Sequence, residues 1–190
     1  MGRWEPNAKE RLVMAALDLF TEQGYDATAV AQIAERAGLT KTTFFRHFRD
    51  KREVLFVGQE VHARLLAEGV AAAPPSATVL EAIGAGVAAL CASFTPAQRD
   101  FGPRLLAVVA GNPELAERSV YKRHLLAASA AAALVERGVP EPDADLAAEL
   151  GVKAFGRAFA RWVEPARSQS LPVLARRELT ALREAAARLE

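Results

Sequence analysis

Thr40-Lys41-Thr42-Thr43 place one ammonium group and three hydroxyl and methyl pairs at a single point in the chain. That set matches the edges of base pairs in a DNA major groove. An ammonium donates to guanine O6 or N7, and a threonine offers a hydroxyl to a base or phosphate and a methyl to thymine. Positive charge is concentrated around these residues. Between residues 39 and 52, Lys41, Arg46, Arg49, Lys51 and Arg52 stand against Asp50 alone, a local charge of +4 in a chain whose net charge is only +1. Such clustering is the electrostatic footprint of a phosphate-binding surface. Catalysis finds far less material: one cysteine, Cys91, and three scattered histidines, His47, His62 and His124. No His pair at helical spacing and no paired-carboxylate motif is recognisable. No enzymatic activity, metal or cofactor is therefore expected, and Cys91 reads as a small buried hydrophobe rather than a redox sensor.

The elements that must carry these residues are helical. Leu12, Val13, Ala16, Leu17 and Phe20 draw one apolar stripe over residues 7–23, which Gly24 terminates. Thr28 is placed to cap a short helix with Val30, Ile33 and Ala34 facing inward and Gly38 at its end. Thr40 is placed to cap the next, in which Phe44 and Phe48 lie one turn apart. Two short helices separated by a few residues that include a glycine are the sequence form of a helix-turn-helix, whose second helix enters the major groove by its N-terminal end. Asp50 then caps a longer helix expected from Lys51 to about Ala73. After the break at Ala73-Pro74-Pro75-Ser76, Thr78 and Glu81 have capping-box spacing. Further helices are expected from there to about Phe94, and over 96–110, 113–137, 143–163 and 171–189, bounded by Gly and Pro clusters. No run of alternating β-branched residues competes, so the chain reads as all-α, about nine helices in total.

The stretch GYDATAVAQIAERAGLTKTTFFRHFRDKREVL, residues 24–55, resembles the DNA-binding domain of the TetR family of regulators. The resemblance lies in its glycine-aromatic start, Ile-Ala pair, Ala-Gly turn, Thr-Phe core and following lysine. It implies a three-helix DNA-binding domain over residues 1–52, connected by helix four from Lys51 to a helical ligand-binding and dimerisation domain over 53–190. It also implies that a small molecule shifts helix four and releases DNA. The groove-facing candidates are Thr40, Lys41, Thr42 and Thr43. Thr28, Thr40, His47 and Lys51 are the candidates for phosphate, although Thr28 and Thr40 could serve only as caps and His47 could simply face solvent. Two residues depart from the family pattern. Phe45 stands where a tyrosine hydroxyl usually reaches phosphate, and Ala31 where a polar contact is common. Lower affinity is expected, with Arg46 and Arg49 available to compensate.

The candidate lining of an effector site is His62, Phe94, Phe101, Leu105, Tyr121, His124, Phe155, Phe159 and Trp162. Each could instead fill core. Few charges interrupt these faces, which points to a mostly apolar ligand of unknown identity. The last two helices are expected to pair two copies through Leu150, Gly151, Ala154 and Ala158 together with Leu174, Leu179, Leu182 and Leu189, or else to seal the chain's own core. A dimer would read a near-palindromic double-stranded operator. With one cysteine, a charged N-terminus and no long apolar run, a cytoplasmic chain without a membrane partner is expected. A DNA-binding regulator without an effector, an activator rather than a repressor, and a small helical enzyme are the competing readings.

Overall fold

In a computed structural model, residues 7–165 and 168–189 are described, and among them the chain forms nine α-helices, one short 3-10 helix and no strand. The helices are α1 Ala8–Gln23, α2 Val30–Arg36, α3 Lys41–His47, α4 Gln59–Ala71, α5 Val79–Ala92, α6 Pro96–Ala110, α7 Pro113–Glu136, α8 Glu141–Trp162 and α9 Leu171–Ala187. The all-α expectation and the order of elements hold. The chain divides into two compact units, Met1–Val57 with Arg104–Ser119, and Gly58–Pro103 with Val120–Glu190.

The first unit is built on the apolar stripe of α1, where Leu12, Ala16 and Leu17 are fully buried and Phe20 nearly so. Ile33 and Ala34 of α2, Phe44 of α3 and Val54 are buried with them. In the second unit Leu66 and Val70 of α4, Ile83, Val87 and Leu90 of α5, and Leu134 of α7 form a core with inward residues of α8 and α9. Small residues set the α4–α5 approach: a methyl at Gly86 would stand 2.6 Å from the carbonyl oxygen of Leu66, and one at Gly69 would stand 2.8 Å from Gly86 Cα. Cys91 is buried in this core, and burial pushes its thiol up to about 12, so it is an inert hydrophobe at neutral pH.

Three sequence expectations change. The single helix expected from Lys51 is divided into a 3-10 helix, Lys51–Leu55, and α4, which starts after Gly58. Asp50 does cap the first piece, accepting the Glu53 N–H at 3.1 Å. Gly58 then takes φ +82°, a left-handed conformation no helix can pass through. Second, Thr28 does not cap α2. The cap residue is Ala29, whose N–H is taken by Gln32 Oε1 at 2.8 Å. Third, Gly151, Ala154, Ala158, Leu174, Leu179 and Leu182, expected between copies, are buried in the chain's own core, while Leu150 is half-buried and Leu189 exposed. A methyl at Gly151 would lie 2.5 Å from Ile83 Cγ1, so its smallness serves α5.

Candidate nucleic-acid interface

The turn between α2 and α3 is made by local bonding. The Gly38 N–H donates to Glu35 O and the Leu39 N–H to Ala34 O, both at 2.8 Å, with Gly38 at φ +65° closing the helix end. The Arg11 guanidinium of α1 donates to Ala37 O, tying the turn to the first helix. The α1 and α2 surfaces are joined again by a two-pronged pair in which Arg36 meets Glu22 at 2.9 and 2.8 Å. Thr40 Oγ1 accepts the Thr43 N–H at 3.1 Å and caps α3. Phe44 is fully buried and packs on Phe48 with ring centroids 5.3 Å apart. Anchored by that side, α3 turns Thr40, Lys41, Thr42, Phe45, Arg46 and His47 outward, with Thr43 half-buried beside them. Phe45 is 48% exposed, and Lys41 Nζ stands 5.9 Å from its ring centroid. Ala31 and Arg49 are exposed as well.

Thr28 and Lys51 are placed differently from these. Thr28 is only 2% exposed, its hydroxyl donating to Gly24 O at 2.7 Å and accepting from Gln23 Nε2 at 3.1 Å. Lys51 Nζ donates to Tyr25 O at 2.6 Å and Thr28 O at 2.9 Å, and lies 4.0 Å from the Tyr25 ring centroid. The ammonium therefore clips the start of α2 to the residues after α3. Sequence reading missed this use because the two carbonyls lie more than twenty positions away in the chain.

Tyr25 is a hub that the sequence reading did not single out. It is buried, packs edge-on against Phe20 at 5.1 Å, and donates its hydroxyl to Glu114 Oε2 at 3.1 Å. Burial, with the Glu114 carboxylate, drives its hydroxyl above the ordinary tyrosine range. Two ion pairs accompany that contact within the same unit, Arg104 with Asp18 at 2.9 Å and Arg118 with Glu53. Helices α1, α2 and α3 thus carry residues 104–119 as part of one compact body. Burial alone would raise the Asp50 carboxyl, but hydrogen bonds from Arg52 and the Glu53 N–H hold it below the usual range.

Of the nine effector-site candidates, the structure gathers five. His62 stacks on Phe94 at 5.0 Å, and Phe94 meets Phe155 at 5.4 Å, Phe159 at 5.5 Å and Trp162 at 6.3 Å. Phe101 is half-buried on α6, Leu105 belongs to the other compact unit, and Tyr121 and His124 are exposed on α7. Burial holds the His62 imidazole below its ordinary value of 6.5. The folded chain then keeps His62 neutral where the unfolded chain protonates it, so stability is full above about pH 6.5 and falls as pH drops through the lowered value. The urea midpoint is expected to decline between pH 7.5 and 5, with a shallower decline in His62→Gln; equal declines would remove His62 from the account.

Comparison with known proteins agrees with this geometry. Residues 12–56 match the bacterial regulatory proteins of the TetR family. Over 46 residues the chain is 50% identical to the HTH-type transcriptional regulator TcmR of Streptomyces glaucescens, a stretch that is 24% of this chain and 20% of that protein. The chain therefore spans only a fifth of that relative's length. The whole fold resembles a transcriptional regulator from Pseudomonas aeruginosa PAO1, with TM-score 0.62 at 19% identity over 98% of this chain and 95% of the other. It also resembles the Thermus thermophilus repressor FadR solved with lauroyl-CoA, with TM-score 0.53 at 20% identity over 92% of each chain. The likeness to the TetR family of bacterial regulatory proteins is carried by residues 12–56, which hold most of α1 and all of α2 and α3.

Proposed function

We propose that the protein is a transcriptional regulator that binds a near-palindromic operator as a homodimer and leaves DNA when a mostly apolar small molecule enters its helical body. The observation that carries this reading is the braced, outward-facing first turn of α3. Thr40, Lys41 and Thr42 are exposed while Phe44, immediately below them, is fully buried. In this reading Lys41 donates to a guanine and the threonines meet neighbouring bases or phosphates. Arg46, His47 and Arg49 approach phosphate. Phe45 supplies an apolar contact where it can donate no hydrogen bond.

Two heads about 34–36 Å apart read successive major-groove faces, and pairing through α8 and α9 supports that spacing. The leucines and small residues buried between these helices are spent, but their outer faces still offer Leu146, Ala160 and Ala181 among charged side chains. The aromatic cluster around Phe94 supports an apolar effector, as does the likeness to a FadR solved with an acyl-CoA. Among the described residues no single helix is long and apolar enough to cross a membrane.

The test is selection of bound sequences from random DNA. An inverted repeat should emerge from the wild-type chain. Lys41→Ala should relax preference at one symmetric pair of positions, costing about 1–3 kcal/mol of discrimination there. Log affinity should fall linearly with log salt concentration. Unselective recovery of oligonucleotides by the wild-type chain would overturn the reading.

A further inference from the structure

Helix α7 is held by one side and presents apolar residues on the other. Leu126, Ala127, Ala130 and Leu134 are buried in the core of the second unit. Ser129 donates to Ala63 O at 3.2 Å, and Arg137 donates to Ala73 O and Pro74 O, each at 2.8 Å. On the outer side Tyr121, Leu125, Ala128, Ala132 and Val135 follow one another at spacings of four, three, four and three. Tyr121 is 49% exposed, Leu125 40% and Val135 45%, and both alanines between them are exposed. A solvated helix face is ordinarily polar. A four-three repeat is the seam along which two helices pack side by side.

We propose that this seam is a docking surface for a second copy of the chain, its α7 running antiparallel about a two-fold axis at Ala128. The order of side-chain sizes favours that arrangement. Around such an axis Tyr121 meets the partner's Val135 and Leu125 meets the partner's Ala132, so a larger side chain faces a smaller one at each level. Ala128 meets its own copy, and small residues there let the helix axes reach the near end of the usual 8–10 Å separation. Charge selects the same orientation. Lys122 lies near one end of the seam and Glu136 at the other, so antiparallel packing brings each lysine toward the partner's Glu136. The contact is isologous and closes after two copies. It lies on a different helix from the α8–α9 pairing proposed above and does not depend on it; where both operate, four copies gather and two operators can be held together.

The test uses the full chain. Ala128→Cys under mild oxidation should form a covalent pair, because the position faces itself across the axis. The native Cys91 is 2% exposed and supplies a background near zero in the unmodified chain. Separately, Leu125→Glu should halve the assembled mass in sedimentation, with helical content by circular dichroism unchanged. Tyr121→Glu should do the same, which guards against a folding defect peculiar to one variant. An unchanged mass in both variants, or an Ala128→Cys chain that stays uncoupled, overturns the seam. Loss of operator binding by the wild-type chain would instead count against the regulator reading and leave the seam standing.

Discussion

Replacing Phe44 with alanine is expected to remove about 3–5 kcal/mol of stability, the range for deleting a fully buried aromatic ring, and to abolish operator binding with it. Phe44 is fully buried, with ring neighbours Phe48 at 5.3 Å and Phe45 at 5.5 Å. Its helix, α3, is only seven residues long. Helices that short do not persist in water on local bonding, since isolated ones need roughly 12–15 residues to become even marginal. The ring is therefore what keeps α3 helical and its first turn facing outward. Denaturant unfolding and a gel-shift titration on the same preparation check the prediction. A variant that lost the stability but bound operator with wild-type affinity at a temperature where it is folded would show that α3 docks without its anchor.

Lys51→Met is expected to cost about 2–3 kcal/mol and to weaken binding to every sequence by a similar factor. Hydrogen bonds that involve a charged partner contribute roughly 1.5–3 kcal/mol, and Lys51 Nζ makes two, to Tyr25 O and Thr28 O. Its position over the Tyr25 ring adds a cation–π contribution of about 0.5–2 kcal/mol. Methionine retains the apolar stem but leaves two carbonyls without that donor, so the start of α2 loses its tie to the chain that follows α3. Base preference should persist, because Lys41 and the threonines are untouched. Thermal unfolding separates this role from a phosphate contact alone. A phosphate contact predicts an unchanged melting temperature and a salt slope smaller by about one; a clip predicts a clear fall in melting temperature.

These two residues show where sequence reading succeeds and where it stops. Phe44 was legible because it sits at i and i+4 with Phe48 behind a capping threonine, and helical period plus polarity alone assign its face. The same local logic placed the caps at Thr40 and Asp50, the capping box at Thr78 and Glu81, and the turn at Gly38, all of which depend on contacts within a few residues. Lys51 read as a phosphate contact because a lysine beside a recognition helix has charge and reach. That its ammonium lies on Tyr25 O and Thr28 O follows from how the chain returns across itself.

The outward turn of α3, the all-helical class and the order of nine helices were set by periodicity, capping residues and glycine positions, which act over one or two turns of chain. Tertiary structure alone decided which of the small residues on α8 meet α5 rather than a second copy. It alone joined Tyr25 to Glu114, Asp18 to Arg104 and Glu53 to Arg118, and so made residues 104–119 part of the same compact body as α1, α2 and α3. It also left the seam of α7 uncovered. The reason is one of range: a hydrophobic period says that a face is to be buried, but what buries it is settled by partners far away in sequence, whose approach no local pattern encodes.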